Sequence, residues 1–316
     1  MLRLLVLGGT VFVGRTIVEA ALGQGWDVTI FSRGRTSADL FSDLDRRHGD
    51  RDLGHYASLD TGRWDAVVDV SGYTSRHVTD AMTELEGRVD RYVFISSHAV
   101  YQRGVGPGAD ESAPLRPALR EGTDLLTPED LTDETYGPCK VACEEDVTAR
   151  FGARSAIVRL GKVAGPHDAS DSFTYWVRRA AEGGRIAVPG TPDQPVQVVD
   201  VRDAAALVLR VVADRRSGPV QAIGPAEPTT LGGLIRTCAS VAGTEVELVP
   251  VPLERGGRMF PLVRPPDFWG SQQRSAARAH AWGMPATPLA TTASDVLAWD
   301  RARGLPPLRY PTLLAE

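Results

Sequence analysis

Through its first half the chain alternates short apolar runs with stretches whose apolar side chains recur every three or four residues. Residues 4–7, 28–31, 66–70, 92–95 and 156–160 read as strands, with a weaker one at 47–49. Residues 15–23, 77–85 and 136–150 carry helical spacing; in the first of these Ile17, Val18, Ala21 and Leu22 share a face. Strands that are short, apolar on both faces and separated by helices belong to a parallel sheet covered on both sides, since each crossover lays a helix across it. The pattern predicts an α/β fold built on a doubly wound parallel sheet.

The rhythm changes after Gly165 and Pro166. Pro189, Pro192 and Pro195 fall in a loop, residues 196–199 form a short strand and 204–213 a helix. From Pro225 onward glycine and proline are frequent, and the strand–helix alternation is expected to be lost. The expected organisation is one domain over residues 1–165, to which 196–222 returns, and a smaller C-terminal lobe from 166–195 and 223–316. Residues 102–130, rich in glycine, proline and acid, read as a long surface loop.

With 42% apolar and 24% charged residues in 316, the chain has the composition of a packed globule. A net charge of −5 gives no electrostatic reason to expect nucleic acid or an anionic membrane as a partner. The three cysteines, Cys139, Cys143 and Cys238, form neither a disulfide framework nor a metal-ligand spacing, which points to a reducing, cytoplasmic compartment and no metal. The apolar run at the N-terminus stops at Gly8, too early for a secretory leader, and no segment is long enough to span a bilayer.

The candidate chemistry begins where the first strand ends. Gly8-Gly9-Thr10-Val11-Phe12-Val13-Gly14 leads from strand into helix. A glycine turn in that place brings backbone N–H groups, and the positive end of the helix, up to a pyrophosphate. This is the dinucleotide-binding position of a Rossmann fold, with Gly8 making the tight turn and Gly14 allowing close helix packing. Val11 stands where the GxxGxxG spacing has glycine, so its branched side chain must turn away or hold the phosphates further off. The second strand ends in Ser32 and Arg33 with no acid to hold a ribose 2′-hydroxyl. Ser32 and Arg33 suit a 2′-phosphate instead, which favours NADP over NAD.

Further on, Tyr136 and Lys140 lie four apart at a helix start and share a face. A neighbouring ammonium is expected to lower the pKa of the phenol, so that Tyr136 exchanges a proton with an alcohol or carbonyl during hydride transfer. Ser96 and Ser97 stand at the carboxyl end of a buried strand, where doubly wound sheets bind their ligands. A serine there can hold the reacting oxygen beside Tyr136; His98 follows, facing the substrate or serving the structure.

Together with Gly49-Asp50-Arg51, the run Asp65 to Gly72, Tyr101, Glu144 and the segment Arg159 to Pro166, these motifs resemble the extended short-chain dehydrogenase/reductase family of NAD(P)-dependent epimerases and dehydratases. The resemblance covers residues 1 to about 210 well and the remainder loosely. It implies a Ser97–Tyr136–Lys140 triad, Asp50 and Arg51 against the adenine, and Val70, Ser71 and Gly72 along the cofactor. It also implies that Lys140 holds the nicotinamide ribose, that Leu160 and Gly161 border the nicotinamide, and that a homodimer is a common assembly.

Three departures from the family pattern narrow the expectation. Dehydratases usually follow the catalytic Ser/Thr with Asp-Glu; His98-Ala99 stands there, which disfavours water elimination. Lys162 stands where sugar-nucleotide enzymes often carry an asparagine against the substrate phosphates. The Gly-Gly-Thr-X-Phe start resembles an atypical branch that includes reductase-like proteins and plastid stem-loop RNA-binding proteins. The leading expectation is a reductase or dehydrogenase acting on a carbonyl or secondary alcohol of a small polar substrate. The alternatives are an NAD-dependent sugar epimerase and a non-catalytic cofactor sensor or RNA-binding protein on the same scaffold. Arg202, Asp203, Arg264, Trp269 and Tyr175 are further candidates for the substrate cleft.

Overall fold

Leu4, Leu5, Val6 and Leu7 of the first strand, β1 (Arg3–Leu7), are wholly buried, and the sheet is laid down on either side of them. In the computed structural model, which describes residues 1–36, 39–225, 227–256 and 260–314, the chain continues through α1 (Phe12–Gly23), β2 (Asp27–Ser32), β3 (Asp45–His48), β4 (Trp64–Asp69), α2 (Ser75–Glu84) and β5 (Val89–Ser97). After the loop come α3 (Tyr136–Phe151), β6 (Ser155–Leu160), β7 (Lys162–Ala164), α4 (Ser172–Glu182), β8 (Gly184–Pro189), β9 (Pro195–Val196), β10 (Val198–Asp200), α5 (Val201–Ala213) and β11 (Gly218–Ala222). The last part holds β12 (Thr229–Thr230), α6 (Leu231–Ala242), β13 (Val246–Val251), α7 (Leu253–Gly256), α8 (Ala277–Ala281) and α9 (Leu289–Ala302).

Seven strands form one sheet in the order β11-β6-β5-β4-β1-β2-β3, and every pairing in it is parallel. Because side chains alternate along a strand, Leu4 and Val6 meet Ile17, Val18, Leu207 and Val211 of α1 and α5, while Leu5 and Leu7 share a cluster with Val78 of α2 and Val147 of α3. The sheet is thus covered on both faces, as the apolar runs require. The segment 196–222 supplies α5 and the edge strand β11.

A second core gathers Phe173, Trp176, Val188, Leu234, Ile235 and Val296 from α4, β8, α6 and α9. Here the expected loss of alternation is corrected. α4 runs into β8 and α6 into β13, and the two strands pair in parallel. The glycines of this region end helices: Gly183 and Gly243, both at positive φ, follow α4 and α6 directly. Pro250 is tolerated because β13 pairs on one side alone, with β8. Residues 102–130 form a loop that holds a bridge between Tyr101 and Leu115 and one 3-10 turn, and the Ser275 N–H ties it to the C-terminal segment through Ala109 O at 3.0 Å. Among the described residues no helix is long and apolar enough to cross a membrane.

Candidate active site

The sheet grows outward from β1 in both directions, β2 and β3 on one side and β4, β5, β6 and β11 on the other. The connections leave toward opposite faces, so a crevice opens beyond the carboxyl ends of β1 and β4. A cavity of about 750 Å³ fills it, a size usual for small-molecule sites. Of the residues expected from sequence, Gly8, Thr10, Phe12, Val13, Ser32, Arg33, Asp50, Arg51, Val70, Ser71, Ser97, Tyr136, Lys140, Leu160 and Gly161 line this cavity. Gly14 and Gly72 are buried behind its wall.

The glycine turn has the shape a dinucleotide needs. Gly8 sits at φ +95°, and a Cβ on Gly14 would stand 2.0 Å from the Gly8 carbonyl oxygen, so α1 rests directly on the turn. α1 opens after Val11 with no side-chain cap and no acid in its first turn. Among the described residues no side chain caps its first N–H groups, which lie beside the cavity, where an anion would satisfy them. Phe12 is held at φ +35°, a strained position for a residue with a side chain. Val11 borders the cavity with its side chain exposed.

At the end of β2, Arg33 faces Asp52 at 3.4 Å and Arg35 faces Asp50 at 3.3 Å, both arginines being exposed. Arg33 is therefore not a free anion ligand but half of a weak surface pair. Arg51 also departs from expectation. Its guanidinium turns inward, bidentate on Asp69 at 2.5 and 2.9 Å and bonded to Ser71 Oγ and the His77 carbonyl. Asp69 is fully buried and needs that countercharge, so Arg51 touches the cavity while its donors are spent on holding the end of β4.

At the catalytic end the two serines part company, because neighbours on a strand point to opposite faces. Ser96 Oγ donates to Glu144 Oε1 at 2.6 Å, and Glu144 takes Arg159 in a buried pair at 2.7 Å. Ser97 Oγ accepts the Ala99 N–H at 3.2 Å, and Ser97 stands near enough to the Tyr136 phenol to favour its ionised form. Tyr136 and Lys140 lie on the first turns of α3. Sequence reading missed Gly137, which brings that helix in: a Cβ there would stand 2.2 Å from the Ala99 carbonyl oxygen. A glycine inside an otherwise helical stretch was the available signal.

Lys140 is 2% exposed, and its Nζ donates to the Gly72 carbonyl at 2.8 Å and the Ile95 carbonyl at 2.7 Å while lying 4.1 Å from the centre of the Phe94 ring. Burial pushes it down to about 8. The expected activation of the phenol is corrected by this arrangement. Burial, aided by the Tyr73 hydroxyl, pushes Tyr136 up to about 12, and Ser97 opposes the shift. His98 lines the cavity and is pushed down to about 3 by burial and by Arg274, Arg264 and Lys162, so it is neutral at pH 7.

Arg264 reaches the cavity, but the other substrate-cleft candidates do not. Arg202 is bound to Asp200 and Asp295, Asp203 accepts from Thr287, Tyr175 is packed in the second core, and Trp269 donates to the Arg264 carbonyl. All three cysteines are free and buried. Among the described residues no cluster of His, Cys, Asp and Glu is placed to hold a metal.

Comparison with known proteins agrees with this architecture. Residues 65–224 match the model of the NAD dependent epimerase/dehydratase family. The chain is 27% identical over 282 residues to dTDP-6-deoxy-L-talose 4-dehydrogenase (NAD(P)(+)) of Kitasatospora kifunensis, covering 80% of this chain and 83% of that one. It is 24% identical over 323 residues to the chloroplast stem-loop binding protein of 41 kDa b of Arabidopsis thaliana, covering 96% and 80%. Among solved structures, the UDP-glucose 4-epimerase of Thermus thermophilus in complex with NAD superposes with a TM-score of 0.67 at 19% identity over 95% of this chain and 99% of that one.

Proposed function

The chain belongs to the NAD dependent epimerase/dehydratase family, and we propose that within it the protein is an NAD(P)-dependent reductase or dehydrogenase acting on a carbonyl or secondary alcohol of a small polar substrate. The observation that carries this reading is the meeting of Ser97, Tyr136 and Lys140 in one cavity with the glycine turn at its other end. A nicotinamide dinucleotide bound along that cavity supplies or accepts the hydride. Gly8 and the first turn of α1 receive its phosphates, and Val70, Ser71, Leu160 and Gly161 flank it.

The chain's own work is proton transfer and positioning. Tyr136 Oη gives its proton to the carbonyl oxygen in reduction and takes the hydroxyl proton in oxidation. A phenol pushed up to about 12 is protonated at neutral pH, which suits the donating, reducing direction. Ser97 keeps its O–H free to bind the same oxygen while its Oγ accepts from Ala99. Lys140 acts through structure, joining the end of β5 to the Gly72 wall.

NADP is the favoured cofactor. Arg33, Arg35 and Ser32 line the cavity at the end of β2, and their exposed pairs with Asp52 and Asp50 are weak enough to yield to a phosphate. The segments 166–195 and 223–316 carry the substrate side, and the buried free thiols suit the reducing cytoplasm. RNA binding is not the reading adopted, because the proton-transfer set is complete and the chain carries net charge −5.

The test is to purify the protein, release any bound nucleotide, and incubate the protein with NADPH and a panel of sugar-derived ketones and aldehydes. Consumption of exchangeable NADPH supports the reductase. Oxidised NAD retained through purification, with no net consumption, replaces it by the epimerase.

A further inference from the structure

The cavity continues past Ser97 and Tyr136 to a wall formed by His98, Lys162, Arg264, Asp168 and Ser170. Two cations stand in this wall without an ionic partner. Among the described residues neither Lys162 nor Arg264 has a carboxylate within 4 Å, and the one hydrogen bond of the Arg264 side chain goes to the Val263 carbonyl at 2.7 Å. Asp168, the acid acting most directly on Lys162, is committed to Ser170, accepting from its N–H at 2.8 Å and its Oγ at 2.9 Å. Asp133 acts on Arg264 from the cavity rim, also beyond 4 Å.

A third cation reinforces the imbalance. Arg274 is 6% exposed, lies 4.1 Å from the centre of the Tyr101 ring, and leaves Nε and Nη1 buried without a partner. His98, around which the three cations gather, stays neutral and adds no negative charge. Desolvated cations cost several kcal/mol unless a counter-ion meets them. A fold that keeps Lys162, two residues beyond β6, and Arg264 facing one cavity leaves the counter-ion to the ligand.

We propose that Lys162 and Arg264 form a subsite for an anionic substituent, carboxylate or phosphate, carried by the reacting molecule itself beside the carbon whose oxygen meets Ser97 and Tyr136. The inference rests on the hydride-transfer reading for what it says of the substrate, but the subsite is measured without turnover. Substrates are then keto or hydroxy acids, sugar acids or sugar phosphates, and neutral polyols are poor ligands.

The test uses the protein loaded with NADP, or with NAD where NADP does not bind, and the binding of each is titrated separately by fluorescence. Saturation-transfer NMR is recorded with acetate, and line broadening of the phosphorus signal with inorganic phosphate; glycerol is the neutral control. The wild type is expected to give a signal with at least one anion and none with glycerol. Lys162→Gln and Arg264→Gln should each cut that signal at least fivefold, and Lys162→Arg should keep it. Preference between acetate and phosphate identifies the substituent. Absence of signal with both anions in the wild type, or a signal that survives both glutamine variants, overturns the subsite. Failure of both NADP and NAD to bind would overturn the cofactor reading, a separate result.

Discussion

The Lys140 ammonium donates to the Ile95 carbonyl at 2.7 Å, one strand away from the helix that carries it. Ile95 lies two residues before Ser97 on β5, and Lys140 lies one helical turn after Tyr136 on α3. The bond therefore fixes the distance between the two elements that supply the hydroxyl groups. Replacing Lys140 by Met would remove the ammonium from this carbonyl and that of Gly72, two buried hydrogen bonds together worth about 2 kcal/mol or more. We expect a lower midpoint in urea unfolding. The loss should also grow as pH rises from about 8 toward the ordinary lysine range. Burial holds the folded pKa below the unfolded one, so the unfolded chain binds more protons there and the wild type gains stability with pH. A difference independent of pH would show that Lys140 is not a buried titrating amine.

Tyr136→Phe removes the proton donor and little else, since the ring keeps its place at the start of α3. Turnover should fall by about 100-fold to 10,000-fold while the cofactor dissociation constant changes less than about twofold. Fluorescence titration of NADPH beside steady-state kinetics measures both. Retained turnover takes Tyr136 out of the mechanism.

A phenol near 12 sets opposite pH behaviour for the two directions. Reduction draws on the protonated form and should stay flat from about pH 6 to 10. Oxidation draws on the phenolate, whose fraction rises about tenfold per pH unit below the pKa, and kcat/KM for the alcohol should climb accordingly. A plateau in oxidation near neutral pH would mean that bound cofactor or substrate lowers the phenol after all.

Arg33→Asp places a third acid beside Asp50 and Asp52 at the end of β2. Repulsion should weaken NADP by about 10-fold or more and leave NAD unchanged or improved. The ratio of the two dissociation constants is the readout, and an unaltered ratio removes Arg33 from the 2′-phosphate site.

Gly137→Ala tests the contact that seats α3. The added methyl would lie 2.2 Å from the Ala99 carbonyl oxygen, so the helix start must move. A displacement of about 1 Å at Tyr136 is expected to lower kcat by roughly 100-fold, with the cofactor affinity little affected because the glycine turn is elsewhere. Normal kcat in a folded variant would show that the 98–100 turn yields instead.

Periodicity and the position of the glycine turn determined the parallel sheet, its order of elements and the end at which the cavity lies, because these depend on local side-chain spacing and on the handedness of crossovers. The pairing of Tyr136 with Lys140 on one helical face was equally legible. Tertiary structure decided what each side chain does there. It sent Ser96 into the Glu144–Arg159 pair and left Ser97 to Tyr136. It buried Arg51 against Asp69, turned the Lys140 ammonium onto two carbonyls, and left burial to raise the phenol that the lysine was expected to acidify. It also brought Arg264 to Lys162 across about a hundred residues, in a lobe whose glycines and prolines hid two helix–strand units. Spacing along a chain reports which residues share an element; burial, partner geometry and charge come from segments distant in sequence, and they alone set a group's protonation and its free lone pairs.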